Sequence, residues 1–190
     1  MKAMDEQIAG NNVIPGSLLQ TFEKELTDAL AGYGADPEVV GFKSIACYRT
    51  GLDVAAAPEK IGVLERAVMT LILVYAARRT LRLADRALND YVVHAAMRAA
   101  GECGKPVQFH TGLGDNDITL ALSSPAHLQP LIKAYPRTKV VLLHSSYPYT
   151  REAGYLASVY ENVFLDFGEI FPFLSGDGQR DTIQIGRAHV

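Results

Sequence analysis

The residues best suited to chemistry are two histidines, each at the end of a short apolar run. His110 follows the run VQF and His144 follows the run VVLL, with a Gly/Asp-rich loop and a helical segment between them. This order predicts a strand, a loop, a helix and a second strand, parallel and adjacent to the first through a right-handed crossover. Proteins of the α/β class place their chemistry at the carboxyl ends of such strands. Neutral imidazole is the commonest metal ligand and an acid or base near neutral pH, so either role suits both residues.

Strand alternation predicts where these side chains point. His110 shares a face of its strand with Gln108, His144 shares a face with Leu142, and Asp166 ends the next apolar run. If these faces point into a barrel, the two histidines and the aspartate meet at its mouth. A single histidine on an apolar strand is more often a packed core residue. Two histidines at equivalent strand ends make the core and functional interpretations about equally weighted.

Two further residues are candidates for holding a substrate. Arg49 follows the apolar run Val39–Cys47, and at the carboxyl end of that strand it would bind a carboxylate. Asp117 lies with Asp115 in the loop after His110, where it would orient a substrate or another loop. Ordinary turn chemistry with solvated charge is the alternative for these two carboxylates.

Alternating strands and helices would position these residues. The predicted strands are the four apolar runs Val39–Cys47, Val107–His110, Val140–His144 and Val163–Asp166. Helical periodicity predicts a long helical region from Pro58 to about Ala87, and a further helix to Gly101 that Asn89 or Asp90 would cap. Strands that look buried on both faces and alternate with helices favour an all-parallel α/β fold.

Composition excludes several classes of function. The chain has 190 residues, 48% of them apolar, which is enough for one good core. Its formal net charge of -3, without a basic cluster, argues against a nucleic-acid or anionic-membrane surface. The two cysteines show no CxxC spacing, and neither a signal peptide nor a membrane span of about 20 residues is visible. We therefore expect a cytoplasmic protein with reduced thiols.

Three stretches together resemble one enzyme family. GFKSIACYRTGL, QFHTGLGDND and LLHSSYPYTREAGYLASVYENVFLDFGE occur in the order found in the amidohydrolase-2 branch of the metal-dependent hydrolases. The resemblance covers roughly residues 38–175 and is strongest to the nodulin-related subgroup that is fused to glutamine-synthetase-like domains. It implies a (β/α)8 TIM barrel, of which this chain would supply roughly strands 4 to 7 with their outer helices.

The resemblance also implies a chemistry. The family holds a divalent metal, often zinc, through an HxH pair on strand 1, the strand-5 histidine and a strand-8 aspartate. By position, His110 resembles the metal ligand and His144 the catalytic or second-metal histidine. The implied activity is hydrolysis of a C–N bond, an amide or γ-glutamyl-like linkage, in a small molecule. Metal-dependent decarboxylation and a non-catalytic scaffold or interaction barrel are the alternatives.

Two departures from the family pattern bear on activity. No two histidines in this chain are separated by one residue, and no strand-8 aspartate follows the fourth apolar run. Because a zinc site needs at least three protein ligands, we expect residues 1–184 to be an inactive part of a longer barrel. The last six residues, IGRAHV, match the conceptual translation of a common sequencing-adapter string. We therefore expect residues 185–190, including His189, to lie outside the natural domain.

These inferences also predict partners. We expect a small-molecule substrate, and neither nucleic acid nor a membrane. We allow for a homo-oligomer, and for a glutamine-synthetase-like domain fused to the same polypeptide in the full-length gene.

Overall fold

The computed structural model describes residues 15–187. Its helices and strands are, in order, α1 (Pro15–Ala35), β1 (Phe42–Ser44), α2 (Ile61–Arg78), α3 (Arg86–Cys103), β2 (Val107–Phe109), α4 (Gln129–Ala134), β3 (Val140–Leu142), α5 (Thr150–Val159), β4 (Val163–Leu165), α6 (Ile170–Phe173) and α7 (Gly176–Arg187). Short 3₁₀ turns are found at Ala46–Tyr48, Leu120–Ser123, Pro125–Leu128 and Leu143–Ser146. No helix among residues 15–187 combines the length and the apolar character needed to cross a lipid bilayer.

The four strands form one parallel sheet in the order β1-β2-β3-β4. The register aligns one residue from each strand in a central row: Lys43, Gln108, Val141 and Phe164. This arrangement of parallel strands and flanking helices confirms the predicted α/β class and is that of part of a (β/α)8 barrel. The strands are shorter than predicted, since Val39–Cys47 contributes only Phe42–Ser44 before the chain turns at Ala46.

The main core lies between one face of the sheet and the helices. On that face Val107, Phe109, Val140 and Leu142 are each at most 1% exposed, and the cluster they form includes residues of α3, α4 and α5. Removing such side chains from water contributes roughly 25 cal/mol per Å² of apolar surface. The opposite face carries the central row, in which Phe164 is 45% exposed. One face of the sheet is therefore packed and the other is open.

A second core cluster joins α1, α2 and the start of α3. Its buried members are Leu18, Leu19, Leu64, Ala67, Val68, Ile72 and Leu88. This helical layer lies beside the main core and contacts it through α3.

The helical region expected from Pro58 to about Ala87 is shorter than predicted: α2 covers Ile61–Arg78, and the next helix begins only at Arg86. α2 is terminated by Arg79, the residue after its last turn, which adopts left-handed angles (φ 53°, ψ 14°) and donates its N–H to the carbonyl of Tyr75. α3 is capped by Asp85, whose carboxylate accepts the N–H of Leu88 at 3.0 Å. The predicted caps, Asn89 and Asp90, lie inside α3.

Asn89 and Asp90 instead hold a loop that the sequence pattern did not connect to them. The amide of Asn89 donates to the hydroxyl of Thr50 at 3.2 Å, and the carboxylate of Asp90 accepts the N–H of Ala55 at 3.0 Å. Both side chains are buried, so these bonds satisfy polar groups that would otherwise be costly to bury.

The segment predicted to lie outside the domain is described only in part. α7 runs through residues 176–187, so the backbone of residues 185–187 is helical. Residues 188–190, including His189, lie outside the described residues. The adapter origin of residues 185–190 stays a prediction.

Candidate functional site

His110 lies directly after β2 and is nearly buried, at 8% exposure. Its backbone N–H donates to the carbonyl of Ser44 on β1, which continues the ladder past the strand end. Its ring Nε2 lies 2.6 Å from the carbonyl oxygen of Leu113. Because a carbonyl only accepts, Nε2 must carry the proton, and the lone pair of the neutral ring is on Nδ1.

His144 follows β3 and is 5% exposed. Its ring Nδ1 lies 2.7 Å from the carbonyl oxygen of Gly168, in the loop after β4. The same argument assigns the proton to Nδ1 and the lone pair to Nε2. The two histidines therefore have opposite tautomers, each set by a backbone carbonyl.

The two imidazoles meet at the carboxyl end of the sheet. Their ring centroids are 5.1 Å apart and their planes are inclined at 72°. Two imidazoles that bind one tetrahedral ion through bonds of about 2.0–2.1 Å place their centroids about 5 Å apart. The separation of this pair therefore allows a shared ion, and it equally allows the separate roles of a metal ligand and of an acid or base.

The route by which His144 reaches His110 differs from the strand-alternation argument. The register pairs Gln108 with Val141, so Leu142 points to the packed face and not to the face of Gln108. We expected His110 to share the face of Gln108, His144 to share the face of Leu142, and both faces to point in the same direction. This expectation is wrong, because Gln108 and Leu142 lie on opposite faces of the sheet. The chain leaves the strand after Leu142 and turns sharply, which reverses the direction that alternation assigns to His144.

The turn consists of three consecutive non-glycine residues in the left-handed region. The φ angles of His144, Ser145 and Ser146 are 58°, 44° and 57°. Each costs of order 1–2 kcal/mol, so the surrounding structure must hold them. The hydroxyl of Ser146 donates to that of Thr111 at 2.8 Å, and Thr111 donates to the carbonyl of Leu143 at 2.7 Å. This buried chain of hydroxyls ties the turn to the residue after His110.

Gly112 permits the close approach of these two loops. Its φ is +61°, and a Cβ at this position would overlap the carbonyl oxygens of Ser146 and Tyr147. Its N–H donates to the carbonyl of Ser123 at 2.9 Å. Glycine is therefore required here both for its conformation and for space.

Burial determines the electrostatics of the pair. Desolvation lowers the pKa of His110, the positive charges of His144 and Lys43 lower it further, and the bond to Leu113 and the charge of Glu169 oppose this. Desolvation also lowers the pKa of Lys43, against the opposing charges of Asp166 and Glu169. A depressed pKa keeps His110 neutral near neutral pH, the form that binds a metal.

Tyr48 is a site residue that the sequence analysis placed in a functional loop with Arg49 but did not single out as a candidate. Its ring centroid lies 4.4 Å from that of His110 at an interplanar angle of 52°. Desolvation raises the pKa of its hydroxyl. The available signal was its position, immediately before Arg49 and just past the carboxyl end of β1.

Arg49 and Asp117 form their bonds around Tyr48 and not with the two histidines. Arg49 donates to the carbonyl of Tyr48 at 3.1 Å, and Arg82 donates to the same carbonyl at 3.1 Å. Asp117 forms an ion pair with Arg82 at 3.0 Å, with both side chains about half exposed. Within residues 15–187, no hydrogen bond or ion pair joins Arg49 or Asp117 to either histidine.

A cavity of about 190 Å³ lies beside β1, and Arg49 is one of its walls. The polar groups that line it include Lys43, Ser44 and Asn89, and its other walls are mostly apolar residues of β1 and α3. An arginine beside an apolar pocket suits an organic carboxylate. The cavity lies between the edge strand β1 and α3.

The described residues meet some of the requirements of a metal site and not others. His110 and His144 each keep one ring nitrogen for a ligand, while the other nitrogen is oriented by a carbonyl, as metal-binding histidines usually are. Glu169 approaches Nε2 of His144 at 3.8 Å. Among residues 15–187, however, no group of three or more His, Cys, Asp or Glu side chains is arranged to hold a metal ion. The described residues therefore bring two imidazoles together without a third side chain arranged to bind the same ion.

Comparison with known proteins supports the resemblance. A family model described as Amidohydrolase matches residues 13–190. Protein fluG of Emericella nidulans is 49% identical over 175 residues, which are 88% of this chain and 20% of fluG. A crystal structure from Lactobacillus casei ATCC 334, described as an inferred metal-dependent hydrolase, superposes with a TM-score of 0.71 at 32% identity, over 90% of this chain and 43% of that one. The chain thus spans less than half the length of either relative.

Proposed function

Because this chain belongs to the amidohydrolase family, we propose that it forms part of a metal-dependent hydrolase that cleaves a C–N bond in a small molecule. The bond is an amide or a γ-glutamyl-like linkage. The observation that carries the proposal is the pair of imidazoles 5.1 Å apart at the ends of two parallel strands. Each ring is oriented by a carbonyl and keeps one nitrogen for a ligand.

The two histidines have distinct roles in this proposal. His110, neutral because its pKa is lowered, would hold the metal through Nδ1. His144 presents Nε2, either to a second ion or to the proton of the attacking water. A divalent metal, zinc in our proposal, supplies a water of lowered pKa and polarises the substrate carbonyl when it is bound.

The substrate contacts come from the loop after β1. Arg49 lines the cavity beside β1 and would bind a carboxylate of the substrate. Asp117 is held by Arg82, which also bonds the carbonyl of Tyr48, so Asp117 would orient this loop and through it the substrate. The ring of Tyr48 against His110 connects the two regions.

The decisive experiment uses the full-length protein. We expect chelation to abolish the release of amine or ammonia from an amide or γ-glutamyl substrate, and zinc to restore it. His110→Ala and His144→Ala should each remove activity, whereas His127→Ala, a control at a half-buried imidazole that bonds the carbonyl of Ala121, should retain it. Activity that persists after complete chelation would contradict the proposal.

The same experiment separates the two alternatives. Release of carbon dioxide without amine or ammonia would identify a decarboxylase. A stably folded full-length protein that binds no stoichiometric metal would identify a scaffold or interaction barrel.

For the 190-residue chain alone we propose no appreciable turnover, because residues 15–187 supply two imidazoles where a zinc site needs at least three ligands. Metal-dependent turnover by this chain would contradict that expectation. A cytoplasmic location, a homo-oligomer and a fused glutamine-synthetase-like domain stay predictions.

A further inference from the structure

We propose that Asp166 is a positioning residue that fixes the tautomer of His144. The inference rests on the proposed function only in taking His144 as a reacting group. Asp166 does not touch the imidazole. It holds the backbone on both sides of the ring, in the loop after β4 and in the left-handed turn after β3.

The carboxylate of Asp166 holds the loop that orients the ring. Its Oδ1 accepts the N–H of Gly168 at 2.8 Å, two residues on, which closes a side-chain turn. The carbonyl of the same glycine accepts the proton on Nδ1 of His144 at 2.7 Å. The position of that carbonyl therefore depends on the bond made by Asp166.

The backbone of Asp166 holds the strained turn itself. Its carbonyl oxygen accepts two bonds from Ser145, one from the N–H at 2.6 Å and one from the hydroxyl at 2.9 Å. Its N–H donates to the carbonyl of Leu142 at 2.9 Å. Asp166 thus bonds Leu142 before His144 and Ser145 after it. Through Gly168 it also positions the carbonyl that accepts the ring proton.

Glu169 is the competing candidate for this role. Its carboxylate lies 3.8 Å from Nε2 of His144, and its side chain is 66% exposed. That distance is beyond hydrogen-bond range, and an exposed carboxylate is weakly coupled to its neighbour through solvent. Glu169 therefore does not select the tautomer, which makes it a matched control in the same loop.

The other described histidines show that the Nδ1–H tautomer of His144 is set by its own surroundings and is not the general pattern in this protein. His94, His110 and His127 each place Nε2 on a backbone carbonyl, those of Ala55, Leu113 and Ala121. Among residues 15–187, His144 is the histidine whose Nδ1 bonds a backbone carbonyl, that of Gly168. Its Nε2 is consequently the nitrogen kept for a ligand or a proton.

Nitrogen-detected NMR of the imidazoles in the 190-residue chain, without added metal and above the usual imidazole pKa, tests this directly. His144→Gln assigns the His144 signals, and His94 serves as an internal reference for correct folding. We expect the Nδ1–H form of His144 in the wild-type chain. In Asp166→Ala the ratio of Nδ1–H to Nε2–H should fall about fivefold, the change that losing about one net hydrogen bond produces.

Two further variants complete the test. Asp166→Asn should keep the wild-type tautomer, since its amide oxygen can still accept from Gly168, and Glu169→Gln should keep it too. If Asp166→Ala does not fold, Gly168→Ala replaces it, because the added Cβ would lie 2.9 Å from Oδ1 of Asp166 and displace that carboxylate. This variant should lower the ratio in the same direction.

An unchanged tautomer in folded Asp166→Ala or Gly168→Ala, or an equal loss in Glu169→Gln, would overturn the inference. The readout needs neither metal nor substrate. Failure of the hydrolase proposal would therefore leave the tautomer result intact, and failure of the tautomer result would leave the hydrolase proposal open.

Discussion

The imidazole of His110 lies against that of His144 with the centroids 5.1 Å apart, and the two rings are held by carbonyls through different nitrogens, Nε2 in one and Nδ1 in the other. Neither carbonyl belongs to the strand that carries the ring it holds. Leu113 lies in the loop after β2, and Gly168 in the loop after β4. The geometry of the pair thus depends on loops that fold around it.

The first prediction concerns metal affinity. In the 190-residue chain, His110→Ala or His144→Ala should weaken binding of Zn²⁺ or Co²⁺ at least about tenfold, because loss of even an outer-shell partner of a ligand costs about 10–100-fold. Equilibrium dialysis against a competing chelator measures this. His127→Ala is the control and should bind as the wild-type chain does. Equal affinities in all three variants would show that the histidine pair is not the binding site.

The second prediction separates steric overlap from backbone strain. Gly112→Ala and Gly104→Ala both place alanine at a positive φ, +61° and +74°, but only at Gly112 would the Cβ meet backbone atoms. We expect Gly104→Ala to lower the free energy of unfolding by about 1 kcal/mol and Gly112→Ala by about 2 kcal/mol more. Denaturant unfolding measures both. Similar losses would mean that the loops of the site relax around the added methyl group.

The third prediction concerns the two thiols. Cys47 is buried, which raises the pKa of its thiol to about 12, whereas Cys103 is exposed. Since the thiolate is the reactive form, iodoacetamide should label Cys103 in the native chain and Cys47 only on unfolding. Mass spectrometry of the labelled chain distinguishes the two sites.

The raised pKa of Cys47 also has a consequence for stability. Below the unfolded-state value of 9.0 both states keep the proton, and as the pH rises through 9.0 towards 12 only the unfolded state releases it. The free energy of unfolding should therefore fall over this interval, and less so in Cys47→Ala. The free energy of unfolding of Cys103→Ala should fall over this interval as that of the wild-type chain does.

The fourth prediction concerns the buried carboxylate of Asp90. Desolvation raises its pKa above 3.8, while the bond from Ala55 and the charge of Arg86 oppose this. Ionisation is then harder in the folded state, so Asp90 lowers stability as the pH rises through the acid range above 3.8. Asp90→Asn keeps an acceptor for Ala55 and should be the more stable chain at neutral pH, with the difference vanishing in acid.

Asp53→Asn is the matched control for this change. Asp53 also pairs with Arg86, at 2.9 Å, but its side chain is half exposed. Its substitution should have little effect at either pH, because an exposed ion pair contributes at most about 1 kcal/mol. A larger effect at Asp53 than at Asp90 would contradict the assignment of the pH dependence to burial.

Residue order alone predicted the parts of this protein that depend on local pattern. Apolar runs such as Val140–Leu142, separated by helical segments, predicted parallel strands in chain order, and two histidines after such runs predicted a site at their carboxyl ends. Both patterns are short-range, because burial and strand direction follow from a few neighbouring residues. The family resemblance rested on those same stretches.

The tertiary structure decided how the site is assembled. Alternation would have turned His144 away from His110, and three left-handed residues, stabilised by Asp166 and Thr111, bring it back. Arg49 and Asp117 followed the predicted strand and loop, yet Arg49 bonds the carbonyl of the adjacent Tyr48, and Asp117 pairs with Arg82, which lies 35 residues away along the chain and bonds that same carbonyl. Such contacts depend on which distant segments fold together, and no local spacing of residue types encodes them.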